Sequence, residues 1–88
     1  MENIHATDRT EVPTYLALLS EGFRVERQKF HDGKEHWIAE RNDLMLSGYS
    51  LLEVLGLYSM RDRRGGNWGA EDAETTAFIT RFFPKGRR

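Results

Sequence analysis

Residues 23–41 constrain the fold more than any other part of this 88-residue chain. Two stretches of strand-forming residues, 23–30 and 35–41, flank the turn sequence His31-Asp32-Gly33-Lys34. Side chains alternate faces along a strand, so slipping the pairing by one residue exchanges the buried and exposed sets. A two-residue Asp-Gly loop sets Val25 opposite Glu40 and Arg27 opposite Ile38. A three-residue loop, His31-Asp32-Gly33, sets Val25 opposite Ala39, Arg27 opposite Trp37 and Phe23 opposite Arg41. The second register gathers Phe23, Val25, Trp37 and Ala39 on one face and is therefore the expected one. It requires a type I turn with Gly33 left-handed in a G1 bulge. Arg27 is then expected to lie over the Trp37 ring as a cation–π pair. Arg24, Glu26, Gln28, His36, Ile38 and Glu40 fall on the other, solvated face.

Helix signals bracket this hairpin. Asp8 with Glu11 reads as a capping box, Pro13 falls in the first turn, and Gly22 follows Tyr15, Leu16, Leu18 and Leu19 as a terminator. The pattern predicts a helix over about residues 10–21. Asn42-Asp43 is a second turn. Leu44-Met45-Leu46 is expected to form a short third strand, broken by Ser47-Gly48. Ser50 with Glu53 is a second capping box, ahead of Leu51, Leu52, Val54, Leu55, Leu57, Tyr58 and Met60. These apolar positions cover most of the helix circumference, so this helix is either central or covered on one side by a second subunit. Gly56 in its middle costs ~1 kcal/mol against Ala, which close approach of another backbone would explain. Gly65-Gly66 ends the helix. A last helix is expected over 70–83, with Glu71, Asp72 and Glu74 at its positive end and Ala77, Phe78 and Phe82 as its inner stripe. Thr75 and Thr76 leave a strand over 76–83 as the alternative, and Pro84 stops either element. The expected fold is α+β, a small antiparallel meander of two to three strands packed by three helices in the order α-β-β-(β)-α-α. Phe23, Val25 and Trp37 are expected to face Leu52, Leu55 and Phe78.

Composition sets the remaining limits. The chain reads as one domain, 1–88, with flexible tails at 1–7 and 85–88. Its aromatic content of 11% and near balance of 13 basic against 14 acidic residues are not those of a disordered chain. The absence of cysteine excludes disulfides, thiolate chemistry and cysteine-based metal sites. A formal charge of −1 argues against a dedicated binder of nucleic acid or membrane surfaces. The longest nearly apolar run, 51–58, is far below the ~20 residues of a membrane span. The N-terminal residues lack the basic start and apolar stretch of a signal peptide, so a cytoplasmic location is expected. A chain this short hides only roughly 60–65% of its extended surface on folding, so its core is thin and a partner subunit would complete it.

No motif assigns a family. His5, His31 and His36 lack metal-ligand spacing, no Ser-His-acid order can be argued, and Glu40 and Asp43 sit beside a turn. Neither a cofactor nor a catalytic residue is therefore expected. The candidate binding residues are Arg61, Arg63, Arg64, Asn67 and Trp68. An aromatic anchor ringed by guanidiniums suits a protein partner, and the adjoining part of the second helix would extend that surface. The plainer account of the same residues is a basic helix end, a glycine stop and a tryptophan stapling the next helix. The expected function is a non-enzymatic protein–protein interaction module, with a second copy of the chain among its partners. One alternative is a nucleic-acid accessory protein using Arg61, Arg63, Arg64, Arg81 and the basic tail. Another is a binder of small anionic ligands, with its pocket completed at a dimer interface.

Overall fold

The computed structural model describes residues 1–6, 9–29 and 31–85, and in it the hairpin takes the three-residue loop. Strand β1 (Arg24–Lys29) runs antiparallel to β2 (Glu35–Arg41), with Val25 opposite Ala39 and Arg27 opposite Trp37. Gly33 has φ +77°, and the Asp32 carboxylate accepts the Lys34 N–H at 2.8 Å, fastening the turn. Phe30 lies outside the described residues. β2 pairs in turn with β3 (Leu44–Gly48) across Asn42-Asp43, where Asn42 takes φ +53°, a left-handed conformation that asparagine tolerates. The sheet order is β1-β2-β3. β3 is longer than expected, because Ser47 and Gly48 continue the ladder to pair with Ile38 and Trp37. Gly48 does not break the strand; it lets the strand lie close to the following helix. A Cβ there would come 3.2 Å from Glu53 Cβ and 3.4 Å from Val54 Cγ2.

Three helices complete the order α-β-β-β-α-α, an α+β fold as the pattern implies. Helix α1 (Glu11–Ser20) starts after Thr10, whose carbonyl accepts the Thr14 hydroxyl at 2.6 Å; Asp8, the expected cap, lies outside the described residues. Gly22, at φ +89°, ends its C-terminal turn. Helix α2 (Leu51–Arg64) carries the Ser50 cap: Ser50 Oγ accepts the Glu53 N–H at 3.1 Å, and Glu53 Oε1 accepts the Tyr49 N–H at 2.8 Å. A cap of this kind stabilises a helix by about 1 kcal/mol. Helix α3 (Asp72–Phe82) replaces the strand alternative for the C-terminal segment. Among the described residues, no helix is long and apolar enough to cross a membrane.

The buried core is Leu18, Phe23, Ala39, Leu46, Leu51 and Val54, with Val25, Trp37, Leu44, Leu55, Leu57 and Tyr58 packed around it. The sheet face is the one the register implies. The helix face differs. Leu51 and Val54, three residues apart and next to the Ser50 cap, meet the sheet, so Leu52 turns outward and is 55% exposed. Phe78 is likewise 51% exposed and does not reach Trp37, because α3 leaves the body after the Gly65-Gly66 stop and buries none of its residues. Arg27 stands opposite Trp37, yet its guanidinium turns to Glu35 at 3.4 Å instead of the indole. The aromatic–cation cluster belongs to Arg41, whose guanidinium lies 4.6 Å from the Phe23 ring and 5.1 Å from the Tyr58 ring. Arg41 Nη1 also donates to the Glu21 carbonyl at 2.6 Å, tying the end of the sheet to the end of α1.

Candidate interaction surface

The last turn of α2 gives its three arginines three different sets of neighbours. Residues on a helix are spaced 100° apart, so Arg61 and Arg63 point to nearly opposite sides. Arg61 borders a shallow depression of about 260 Å³ beside Asn42 and Asp43 of the β2–β3 turn. Arg63 Nε donates to Ser59 Oγ at 3.2 Å, along the opposite flank. Arg64 alone reaches the tryptophan loop. Its Nε donates to the Trp68 carbonyl at 2.8 Å, and its Nη2 pairs with Glu74 Oε1 at 3.1 Å. The expected ring of guanidiniums around Trp68 is therefore corrected to one arginine, and that arginine is occupied as a strut between α2 and α3. Asn67 borders a polar recess with Arg64 and Glu71.

Glu74 is the electrostatic partner of this strut. Its Oε1 also accepts the Glu71 N–H at 2.9 Å, capping α3. That backbone hydrogen bond, and next the charge of Arg64, hold the Glu74 carboxyl below its ordinary range. In the sequence these acids suit the helix dipole and stand close enough to Arg61, Arg63 and Arg64 to be their local partners. The Glu71/Glu74 spacing was the signal for a cap, although glutamate is not a favoured capping residue.

Beyond the strut, the surface is apolar. Trp68, Met60 and Phe78 line a groove of about 440 Å³ where α3 diverges from α2. Phe78 packs on Phe82, with ring centroids 5.2 Å apart, and Phe83 lies 6.2 Å away on the same side. Phe82 is 59% exposed, and the Arg81 guanidinium lies 5.3 Å from its ring. A second groove, about 540 Å³, runs between α1 and α2. Ala17, Leu52, Leu55 and Gly56 supply apolar lining, while Glu21 and Asp62 contribute carboxylates and Arg63 a guanidinium. Sequence reasoning pointed to this part of α2 through its excess of apolar residues. It missed the aromatic face of α3, having assigned Phe78 and Phe82 to the interior.

The three histidines lie apart from both grooves: His5 is in the N-terminal segment, His31 is in the hairpin turn, and His36 stands beside Tyr49 with ring centroids 4.7 Å apart. Among the described residues, no cluster of three or more histidine, aspartate or glutamate side chains could hold a metal ion. Comparison with protein-family models, with curated proteins and with solved structures found no match to this chain.

Proposed function

We propose that this chain is a non-enzymatic interaction module that binds protein through the surface formed by the outer side of α2, the Trp68 loop and the aromatic face of α3. One observation carries the reading: α3 buries no residue of its own while presenting Phe78 beside Trp68, with Phe82 and Phe83 next to Phe78. A contiguous aromatic surface of this kind is costly to hydrate and is the usual composition of an interface centre. Trp68 and Phe78 are the anchors. Arg63 and Arg81 lie at the polar margin, and Arg64 fixes the angle between the two helices. The nucleic-acid alternative draws less support, because Arg64 is neutralised by Glu74 and Arg61 faces away from Arg63.

Site-specific photocross-linking in the producing cells tests the proposal. A benzophenone side chain at Phe82 or Trp68 is expected to give a discrete protein adduct. The same probe at Met45, exposed on the outer sheet face, is expected to give none. Equal, diffuse labelling from all three positions removes this surface as the working one.

A further inference from the structure

We propose that the occupant of this surface is a second copy of the chain: the aromatic face of α3 from each copy seats in the α1/α2 groove of the other. The inference rests on the interaction-module reading and names its partner.

The first support is area. The chain exposes 7731 Å². A folded monomer of this mass exposes about 5,400 Å² by the usual size scaling. The radius of gyration is 16.0 Å, whereas about 12 Å is expected for a compact domain of this length. The N-terminal residues without helix or strand contribute to the excess, and so does the outlying α3. The excess is about 2,300 Å², roughly three times the 800 Å² per partner that a standard interface buries.

The second support is Gly56. Glycine in mid-helix is unfavourable, and the usual reason to find it is a neighbouring backbone. In this chain a Cβ at Gly56 meets nothing within 4 Å. The space it leaves is open and lies on the groove between Leu52 and Leu55. None of the described residues of the same chain uses it, whereas a helix from outside would.

The third support is complementarity of chemistry. The groove has an apolar lining, the carboxylates of Glu21 and Asp62 and the guanidinium of Arg63, so its charged groups sum to −1. The α3 face has aromatic side chains, with Arg81 in its last turn and Lys85 just beyond. Aromatic rings suit the lining, and the cationic end of α3 suits a groove whose charge is net negative. Groove and ligand helix occur on one polypeptide, so a two-fold exchange fills both grooves at once and closes the assembly. Arg64 ties only the first turn of α3 to the end of α2, and the later turns that carry Phe78 and Phe82 stay exposed.

Sedimentation velocity on the full chain over a concentration series tests this, together with the Phe82 benzophenone probe in a mixture of isotope-labelled and unlabelled protein. A dimer is expected, with the probe cross-linked to residues 52–63 of a differently labelled chain. Phe78→Ser with Phe82→Ser is expected to weaken dimerisation by about 100-fold or more, since each removes an aromatic anchor. Neither residue is buried in the single chain, so the sheet signals should persist in that variant. Gly56→Leu, which fills the groove, is expected to act in the same direction. A chain that stays monomeric at high concentration overturns the second-copy proposal, as does a cross-link confined to one chain. If the cellular adduct at Phe82 then carries a different protein, the interaction-module reading survives alone; if no discrete adduct forms, both fall.

Discussion

Gly56→Ala separates what a single chain does from what two chains do, because the two effects have opposite signs. Alanine is about 0.8–1.0 kcal/mol more favourable than glycine inside a helix. That gain is retained only where the new methyl meets no obstacle, and at Gly56 the nearest 4 Å are empty. Gly56 is partly exposed, so the methyl adds little burial to the sum. The variant should therefore be more stable than the parent by nearly the full propensity difference. For a domain of 60–100 residues this corresponds to roughly 4–8 °C in Tm. Urea unfolding followed by far-UV circular dichroism, at about 1 µM where mass action disfavours a dimer, is the direct assay. The slope with urea should be unchanged, since the same surface is exposed on unfolding. At high protein concentration the advantage should shrink or reverse, because the methyl intrudes on the docked helix. Destabilisation at low concentration would refute the reasoning, because it would mean that the chain's own backbone or side chains fill the groove.

Two further predictions test the seating of α1 and the α2–α3 strut. Leu18 is fully buried and Leu16 is 55% exposed on the same helix; Leu18→Ala should cost about 3 kcal/mol by thermal or urea unfolding and Leu16→Ala under about 1 kcal/mol, and equal losses would mean that α1 buries a different face. Glu74 has a folded pKa below the ordinary value of 4.5, so the stability it contributes is complete above that value and is lost as pH falls through the depressed folded one. The Glu71 amide, which the carboxylate holds, should titrate in NMR with a midpoint below 4.5, and Glu74→Gln should abolish that titration. A midpoint at or above 4.5 is the contrary result.

The sheet was legible because its residues obey one rule at a time. In the hairpin, alternation and loop length agree on a single register, and Gly33 supplies the backbone conformation that register needs. The Ser50–Glu53 spacing likewise fixed the start of α2. What the pattern could not give was rotation. Leu51, Leu52, Val54 and Leu55 are interchangeable to a hydrophobicity count, and the choice between Val54 and Leu52 is made by Gly48, whose missing side chain admits Val54 to the strand. The position of α3 was misread for a related reason. Phe78 and Phe82 are spaced as a core stripe is spaced, and periodicity reports that a face is apolar without reporting which chain covers it. The arginines of the corner are parted by helical geometry and by their partners: Arg63 stands on the side of α2 opposite Arg61, and Arg64 is drawn to Trp68 and Glu74.

The energetics of α3 bear on how the proposed association would work. A helix of 11 residues is shorter than the ~12–15 at which isolated helices become stable in water. Ordinarily the deficit is made good by burying an amphipathic face, and α3 fully buries none of its residues, Ile79 being half-buried. Its tethers, the Glu71–Glu74 cap and the Arg64 strut, are exposed polar contacts at the N-terminal end, each of modest value in water. The C-terminal turns that carry Phe78, Phe82 and Phe83 lie beyond their reach. A partner that covers those rings therefore does two things at once: it removes apolar surface from water, and it supplies the packing that keeps the helix wound. The affinity of such a surface is reduced by the ordering it must drive, so it is set as much by how well α3 is wound beforehand as by the contacts it makes. On the proposed reading, the strut would then be part of the binding apparatus, although no partner need ever touch it.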